Sequence, residues 1–543
     1  MKRNLRYVAA ILLFSTAVKA QQEMLSKTWV ADNGNGTYKN PILHADYSDP
    51  DAVRVGEDFY MISSSFNQAP GLPILHSKDL VNWKLIGHIL PKQPPFAHFS
   101  KPQHGNGVWA PSIRYHNGSF YVYYPDPDFG IYLTKAKNIN GPWSEPILVE
   151  AGSGLIDPCP LWDDDGKVYL AHAFAGSRAG IKSIVVVKQL NAEGTKTIDD
   201  GVLVFDGHDQ DPTLEGPKFY KRNDYYYIFA PAGGVSTGWQ LVLRSKNVYG
   251  PYERKVVMDQ GKSPVNGPHQ GAWVNTATGE DWFLHFQDKD AYGRIVHLQP
   301  MKWVNNWPVI GEDPDGDGKG QPVMVHKKPN VGKIWPKAAP PESDEFSSRK
   351  LGLQWQWNAN PKVGWYFPSP SKGELRLFTD KIPDSAKNLW DVPNILTQKF
   401  PAEAFSFTTK FSFKPRLQGE RFGLVVYGAD YAYLSLVKKE DGIYLSRVTC
   451  LKAEKGAAEK EEMLQKIASG DCWFRVTVQP GALCSFSYST DGATFTSAGT
   501  VFKAVPGRWV GAQVGFFCTR DVVTNDAGWS DIDWVRAHPV PPL

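Results

Sequence analysis

Residues 52–63 read AVRVGEDFYMIS: a short apolar strand pattern, a polar turn, and a second strand pattern that carries an aromatic residue. The same order returns as SIRYHNGSFYVYY, PLWDDDGKVYLAH, KFYKRNDYYYIFA and AWVNTATGEDWFLHF, at residues 112–124, 160–172, 218–230 and 272–286. Superposing the turns aligns one aromatic residue per copy, with separations of 61, 48, 58 and 56 residues: Tyr60, Tyr121, Tyr169, Tyr227 and Phe283. The first 300 residues therefore contain an internal repeat.

A second motif follows the first, second and fourth copies of the repeat. It reads HSKDLVNWKLIG, TKAKNINGPWSEPIL and RSKNVYGPYERKVV, at residues 76–87, 134–148 and 244–257. Each copy of this motif predicts a third strand, a turn and a fourth strand with an aromatic residue. Repeats of about 50 to 60 residues with four short strands are typical of a β-propeller. We therefore predict an all-β chain with a five-bladed β-propeller over residues 21–326; a β-sandwich is the competing interpretation, but it does not explain the fixed internal order.

The repeat ends before a segment rich in proline and lysine. Residues 327–343, KKPNVGKIWPKAAPPES, predict a linker. From residue 344 to 543 the chain alternates apolar and polar positions in runs such as FSFTTKFSF and CWFRVTVQ, separated by Gly, Asp and Pro turns. This pattern predicts an antiparallel β-sandwich as a second domain.

The N-terminal twenty residues have the features of a secretory signal. Lys2, Arg3 and Arg6 precede an apolar run, and small residues flank Lys19 where a signal peptidase would cut. Loss of these four basic residues takes the formal charge from +3 to 3 − 4 = −1. We expect a secreted or periplasmic protein that begins near Gln21, and a chain so near neutral gives no electrostatic reason to bind nucleic acid or an anionic membrane.

The cysteines allow disulfide bonds and give no sign of a metal site. In an exported protein the four C-terminal cysteines could form up to two disulfides, with three connectivities open. The cysteines show no CxxC spacing, so no metal cluster is predicted. These cysteines are Cys450, Cys472, Cys484 and Cys518, with Cys159 isolated.

Nineteen tryptophans and 13% aromatic residues fit β-sheet cores for the most part, and they also fit stacking on sugar rings.

Five residues occupy the same position relative to the aligned aromatics. Counting back eleven to fourteen residues reaches Asp49, Trp109, Asp157, Glu215 and His269. The first strand of each blade lines the central channel of a propeller, so we expect these side chains to converge at one mouth. Taken singly, Asp49, Asp51 and Asp157 would be turn residues beside proline, Glu215 a solvated acid, and His269 a core histidine; their shared position favours a site.

Convergent carboxyls beside a sugar pocket are the apparatus of glycoside hydrolysis. One carboxyl protonates the leaving oxygen, and another, ionised, activates water or attacks the anomeric carbon. A third carboxylate near the acid would help it to keep its proton by repulsion between like charges.

The chain resembles glycoside hydrolase family 43, especially its β-xylosidase and α-L-arabinofuranosidase members with a C-terminal β-sandwich. The segments that carry the resemblance include YSDPDAVRVGEDFYMISSSF, GNGVWAPSIRYHNGSFYVYY, LIDPCPLWDDDGKVYL, LEGPKFY and YGRIVHLQPMKW. The resemblance implies a sandwich of the concanavalin-like, jelly-roll type. It also implies that Asp49 is the general base, Glu215 the general acid and Asp157 the residue that modulates the pKa of the acid and orients it, while Asp51 keeps a structural role.

The resemblance assigns further residues around these carboxyls. It implies that Phe66 and Trp109 form the platform and wall for the sugar to be cleaved, and that Arg294 contacts a substrate hydroxyl. His269 resembles a histidine that faces a central calcium ion or a water molecule in many relatives, so no cofactor is required and a structural calcium is one expectation.

The acidic turn DPDGDG at 313–318 matches half of an EF-hand loop, but its twelfth position is Met324, so a solvated turn is favoured over a calcium site.

These observations predict an exo-acting, inverting glycosidase that releases terminal β-D-xylose or α-L-arabinofuranose from oligosaccharides or polysaccharides of the plant cell wall, such as arabinoxylan or arabinan. Inversion agrees with a base and an acid about 6.5 to 9.5 Å apart, which leaves room for water. Two alternatives remain open at this point: a glycan-binding propeller without catalysis, and an endo-arabinanase with an open groove.

Overall fold

The computed structural model describes residues 26–541, and five four-stranded antiparallel sheets form its N-terminal part. The predicted five-bladed propeller is confirmed, and all five aligned aromatics lie on the second strand of a blade. In blade order the strands are Asp51–Val55, Asp58–Ile62, Gly71–Ser77 and Trp83–Leu90; Ser112–His116, Ser119–Asp126, Gly130–Ala136 and Ile147–Ala151; Leu155–Trp162, Val168–Phe174, Ile184–Leu190 and Val202–Asp206; Lys218–Arg222, Tyr225–Ala232, Trp239–Ser245 and Glu253–Met258; His269–Asn275, Asp281–Asp288, Arg294–Val304 and Trp307–Ile310.

Hydrophobic clusters join each blade to the next around the ring. Blades 1 and 2 share a cluster with Ile74 and Ile113, and blades 3 and 4 share one with Val185 and Phe219. Because the apolar faces of neighbouring blades pack on each other, burial of these faces contributes most of the driving force for the repeat to close.

The segment before blade 1 closes the ring. Its strand Thr37–Lys39 pairs with Val325–Lys327, and Leu43 forms an isolated bridge with Val296 of blade 5. The hydroxyl of buried Tyr38 donates to the carbonyl of Leu298 at 2.8 Å. Residues 37–43 therefore connect blade 5 to blade 1 directly before the chain reaches Asp49.

Two eight-stranded sheets face each other in the C-terminal part. One contains Gln356–Trp357, Asp380–Lys381, Ile395–Lys399, Arg421–Tyr427, Tyr431–Lys439, Gly442–Cys450, Lys460–Ile467 and Gln513–Arg520. The other contains Tyr366–Ser369, Glu374–Phe378, Phe405–Lys414, Asp471–Gln479, Leu483–Ser489, Thr496–Ser497, Phe502–Lys503 and Trp529–Pro539. The predicted β-sandwich is confirmed, and alternate residues of 405–413 form its core: Phe405, Phe407, Phe411 and Phe413.

Helical structure is scarce in the described residues. The α-helix is Gly176–Ala179, and short 3-10 turns are His98–Ser100, Asp290–Tyr292, Val363–Trp365, Leu389–Asp391 and Ala453–Lys455. Between residues 26 and 541, no helix has the length and apolar character needed to cross a membrane. The predicted signal at residues 1–20 lies outside the described residues.

The propeller and the sandwich share a packed interface. Ala69 and Trp357 exchange backbone hydrogen bonds of 3.0 and 2.6 Å, and the amide of Ala512 donates to the carbonyl of Ala291 at 2.7 Å. Tyr292, from blade 5, lies within the hydrophobic core of the sandwich. The sandwich is therefore built onto the face of the propeller that carries the mouth of the channel.

All five cysteines are buried and unpaired, so the disulfides that the sequence allowed are absent from this structure. Cys159 instead accepts hydrogen bonds from Arg114 and from the amide of Phe219, at 2.8 and 3.1 Å. It thereby contributes to the contacts among blades 2, 3 and 4.

Candidate active site

The five residues at the shared repeat position all lie where a first strand begins. Asp49 precedes the first strand of blade 1 by two residues, and Trp109 and Glu215 precede those of blades 2 and 4 by three. Asp157 is the third residue of its strand, and His269 is the first residue of its own. The repeat thus delivers all five to the same end of the inner strands.

Local backbone distortions direct two of the carboxyls. Asp49 and Asp157 have φ values of 53° and 57°, in the left-handed region that residues other than glycine rarely adopt. Register shifts follow Ile156 and His269 in the first strands of blades 3 and 5. Because a bulge re-aims the side chains beside it, these irregularities turn residues of regular strands toward the channel mouth.

Asp49 is held by three donors at the mouth of the channel. Arg294 Nη1 donates to Asp49 Oδ1 at 3.0 Å, and the hydroxyls of Ser48 and Ser64 donate to Oδ2 at 2.9 and 2.5 Å. Asp49 is 4% exposed, so the positive charge of Arg294 acts with little screening by water. Donors to both oxygens stabilise the ionised carboxylate, the form that a general base requires.

Glu215 has a different set of contacts from Asp49. His269 Nε2 lies 3.0 Å from Glu215 Oε1, and the Glu215 side chain retains 34% exposure. The amide of the next residue, Gly216, donates to Asp157 Oδ2 at 2.7 Å. Glu215 is therefore oriented by His269 on one side, and its backbone is tied to Asp157 on the other.

Asp157 holds a proton beside Glu215. Burial raises the pKa of Asp157 to about 8; the charges of Glu215 and, more weakly, of Asp49 add to this, and the Gly216 amide and Lys218 oppose it. All three carboxyls therefore interact electrostatically at one mouth, as their repeat positions predict. Asp157 is 3% exposed and accepts a single hydrogen bond, from the Gly216 amide, so near neutral pH it keeps its proton next to the more exposed Glu215.

Aromatic residues from both domains line the entrance. Trp109 Nε1 donates to the carbonyl of Gly105 at 2.7 Å, and its ring makes an edge contact with Trp509 of the sandwich at 6.1 Å. Phe66 is buried and exchanges backbone hydrogen bonds with Val108, the residue before Trp109. The two residues expected to form the sugar platform and wall are thus adjacent.

Sequence reasoning missed several of the site residues. Trp509 lies in a loop between two sandwich strands, 40% exposed, and reaches the propeller from about 400 residues away along the chain. Ser48 directly precedes Asp49 and Ser64 lies two residues before Phe66; small polar side chains this close to candidate site residues are a signal for hydrogen-bond donors. Trp509 had only a weak signal, a tryptophan between glycines in a sandwich turn.

Asp51, the second acid of the SDPD motif, lies in the interior between blades. Its Oδ2 accepts from the amide of Ile113 at 2.8 Å and from Arg114 Nη1 at 2.8 Å, and its side chain is fully buried. The structural role expected for Asp51 is consistent with these contacts. It lies inside the first strand and ties blade 1 to blade 2, rather than holding a turn.

The residues present do not fit a metal ion held by side chains. Between residues 26 and 541 no group of three or more His, Cys, Asp or Glu side chains could hold a metal. His269 contacts Glu215, and its buried Nδ1 has no partner among the described residues. In the turn at 313–318, Asp313 accepts the amides of Gly316 and Gly318, so this turn is stabilised by its own backbone and the EF-hand interpretation is not supported.

Comparisons with known proteins identify the family. The model for glycosyl hydrolases family 43 matches residues 38–308, and a model described as the beta xylosidase C-terminal concanavalin A-like domain matches residues 343–538. A putative beta-xylosidase of Xylanibacter ruminicola is 40% identical over 92% of this chain and 89% of its own. A non-reducing end alpha-L-arabinofuranosidase of Bacteroides ovatus is 31% identical over 74% and 76%. A crystal structure of a GH43 protein from Bacillus licheniformis aligns with a TM-score of 0.79 and 27% identity, over 93% of this chain and 100% of that one. The chain belongs to glycosyl hydrolase family 43.

Proposed function

We propose that this protein is an exo-acting, inverting glycosidase that releases terminal pentose from plant cell-wall oligosaccharides, with β-D-xylose as the leading substrate. The observation that carries the proposal is the contrast at the channel mouth. Arg294 and two hydroxyls donate hydrogen bonds to Asp49, whereas burial and the charge of Glu215 raise the pKa of Asp157 to about 8. A base and an acid facing one pocket are the requirement for hydrolysis of a glycosidic bond.

The mechanism uses one water molecule and two carboxyls. Asp49 removes a proton from a water whose oxygen attacks the anomeric carbon, and a new carbon–oxygen bond forms on the face opposite the leaving group. The old glycosidic bond breaks, its electron pair stays with the leaving oxygen, and Glu215 gives that oxygen a proton. His269 orients Glu215, and Asp157 keeps the proton available on the acid.

The sandwich loop that carries Trp509 supports exo action. The ring of Trp509 meets Trp109 at the entrance, and Arg294, which binds Asp49, lies 5.7 Å from the centre of the Trp509 ring. A loop from the second domain at this position limits the length of polymer that can pass the catalytic carboxyls. A closed end favours removal of terminal sugars over cutting within a chain, in contrast to an open groove.

Arabinofuranose is the second candidate sugar. Relatives named for both activities cover most of the chain, and a beta-xylosidase of Formosa agariphila is 33% identical over 93% of it. The stronger match to xylosidase names and the description of the sandwich model favour xylose. Aryl β-D-xyloside and aryl α-L-arabinofuranoside should be compared by kcat/KM, with proton NMR of the first product to show inversion; a retained anomer would contradict the mechanism.

The roles of Asp49 and Glu215 can be tested with two substrates, one whose leaving group needs a proton and one whose leaving group does not. Glu215→Gln should lower kcat/KM on xylobiose by about 10²- to 10⁴-fold, and much less on a dinitrophenyl xyloside, because that leaving group departs without a proton. Asp49→Asn should lower activity on both substrates. Asp315→Asn, which changes an exposed acid, is the matched control. Equal losses on both substrates for Glu215→Gln would refute its role as the acid.

We also propose that the protein is exported, on the basis of residues 1–20. Expression of the full chain in a Gram-negative host, followed by fractionation and N-terminal sequencing, should give a periplasmic or secreted product that begins near Gln21. Retention in the cytoplasm with the N-terminus intact would exclude export.

A further inference from the structure

A cleft that is partly open to solvent lies where the propeller, the connecting segment and the sandwich meet. Residues 42–47 and part of blade 1 form one side, residues 339–342 a second, and residues 353–356 and 398–401 a third. None of the three catalytic carboxyls lines it. The cleft is therefore a separate feature from the candidate active site.

Three nitrogen-bearing side chains line this cleft, and one of them, His44, is buried without a hydrogen-bond partner among residues 26–541. Both ring nitrogens of His44, which is 2% exposed, lack a partner among the described residues. Neither the imidazole of His88 nor the ammonium of Lys399 has a hydrogen bond or ion pair within residues 26–541; Lys399 Nζ only lies 5.5 Å from the centre of the Tyr47 ring. A buried imidazole without a partner is costly, so His44 calls for a polar partner that residues 26–541 do not supply.

The carboxylates around the cleft are already occupied. Glu342 Oε1 accepts the amide of Lys27 at 2.8 Å. Asp46 accepts the amides of Arg294 and Gly511, both at 2.8 Å. These acids are held by other donors. Burial lowers the pKa of Lys399 and the charge of Asp46 opposes this, but no carboxylate forms a hydrogen bond or ion pair with Lys399 within residues 26–541.

The electrostatic surroundings of the two histidines are positive. The pKa of His44 is lowered to about 3, by burial first and then by the charge of Lys289, with a smaller effect of Lys39. The pKa of His88 is lowered to about 3, by burial and then by Lys399. Both imidazoles are therefore neutral near pH 7, and the lining cation is Lys399, which suits a ligand with a single negative charge.

The walls of the cleft are apolar around these donors. Trp29 packs on His44 with ring centres 5.0 Å apart, and Pro340, Pro341 and Pro401 line the same space. An inorganic anion with two charges would lose its hydration against such walls with only one cation to offset the loss. A small organic group with one carboxylate can place its oxygens at the donors and its carbon atoms against the prolines.

We propose that this interdomain cleft binds a compact monocarboxylate, with its oxygens at Lys399 and His44. The ligand could be a free short-chain carboxylate or the acid group of a sugar, and the two share the same recognition chemistry. Because it would contact the propeller, the connecting segment and the sandwich at once, its binding should stabilise the assembled two-domain protein.

The test is a titration of the full mature protein at constant ionic strength, with calorimetry and thermal unfolding as readouts. Sodium acetate should give a saturable heat and raise Tm by about 1–2 °C at tenfold excess over Kd, whereas sodium chloride should not. A D-glucuronate arm distinguishes a free carboxylate from a sugar acid, and a phosphate arm tests the preference for one charge. The Glu215→Gln variant should bind equally, so a failure of the proposed catalysis would not affect this result.

Variants at Lys399 decide whether the cleft is responsible. Lys399→Met keeps the stem of the side chain and should abolish the acetate effect, while Lys399→Arg and the exposed control Lys372→Met should retain it. The proposal is overturned if acetate gives no heat or Tm shift, if chloride or phosphate acts as strongly, or if Lys399→Met responds like wild type. Should Lys399→Met not fold, crystals of the wild type grown with and without acetate provide the second measurement, and density for water alone at Lys399 Nζ would refute the site.

Discussion

Asp49 and Asp157 are buried to the same degree, 4% and 3% exposed, and yet their hydrogen-bond partners differ. Arg294, Ser48 and Ser64 all donate to Asp49, whereas Asp157 receives one amide and faces Glu215. Burial and the charge of Glu215 raise the pKa of Asp157. The number and charge of the donors therefore distinguish the candidate base, Asp49, from the carboxyl beside the candidate acid.

A pH-dependent stability follows from Asp157. A carboxyl whose pKa is raised on folding, here from 3.8 to about 8, binds its proton more tightly in the folded state. Its contribution to stability is present below about pH 4 and is lost as the pH rises toward 8. Asp157→Asn should remove this loss, so the Tm of the variant minus that of wild type should increase between pH 4 and pH 8.

Thermal unfolding across this pH range is the measurement, with Asp315→Asn as the exposed control. The effect should be smaller in a Glu215→Gln background, because the charge of Glu215 is the second cause of the raised pKa. A difference in Tm that stays constant with pH would contradict a protonated Asp157.

At the scale of elements, the sequence predicted blades well and side-chain directions poorly. The aligned aromatics mark the second strands because a repeated turn and a period of two leave a clear pattern in the sequence. The register shifts after Ile156 and His269 leave no such pattern, since a bulge depends on the pairing of two strands. The position in the repeat singled out Asp49, and the resemblance to a family then assigned it the role of base and left Asp51 a structural role.

The loop with Trp509 is an element that no local pattern could place. Its position depends on how the sandwich docks, through contacts such as the bond from Gly511 to Asp46. Distances between domains are set by the tertiary fold and are not encoded in strand periodicity. The repeat and the motifs therefore predicted the carboxyls of the site, but not the side of the pocket that the second domain supplies.

Substitution of Trp509 tests the contribution of this loop. Trp509→Ala should raise KM for xylobiose about fivefold to tenfold with a small change in kcat, because an aromatic contact at the entrance is lost while the carboxyls stay in place. Trp509→Phe should keep most of the affinity. Steady-state kinetics on xylobiose and product analysis on xylohexaose check the result, and an unchanged KM for the alanine variant would exclude the loop from the pocket.

At the scale of the whole molecule, the two domains share one core and should unfold together. Tyr292 of blade 5 packs among sandwich residues; its hydroxyl donates to the carbonyl of Glu403 at 2.9 Å and accepts from the amide of Ala482 at 2.9 Å. Removal of this ring opens a cavity at the junction and should cost about 3–5 kcal/mol. Tyr292→Ala should therefore weaken the coupling between the domains more than it weakens either domain alone.

Calorimetry distinguishes coupled from independent unfolding. Wild type should show a single cooperative transition, whereas Tyr292→Ala should show two, with loss of activity at the lower one because the loop with Trp509 and the bond from Gly511 to Asp46 depend on docking. Tyr115→Ala, at a tyrosine of blade 2 that is 42% exposed, is the control and should keep one transition. Two transitions in wild type would mean that the propeller is stable without the sandwich. The loop with Trp509 would then leave the end of the pocket at a temperature at which the blades are still folded.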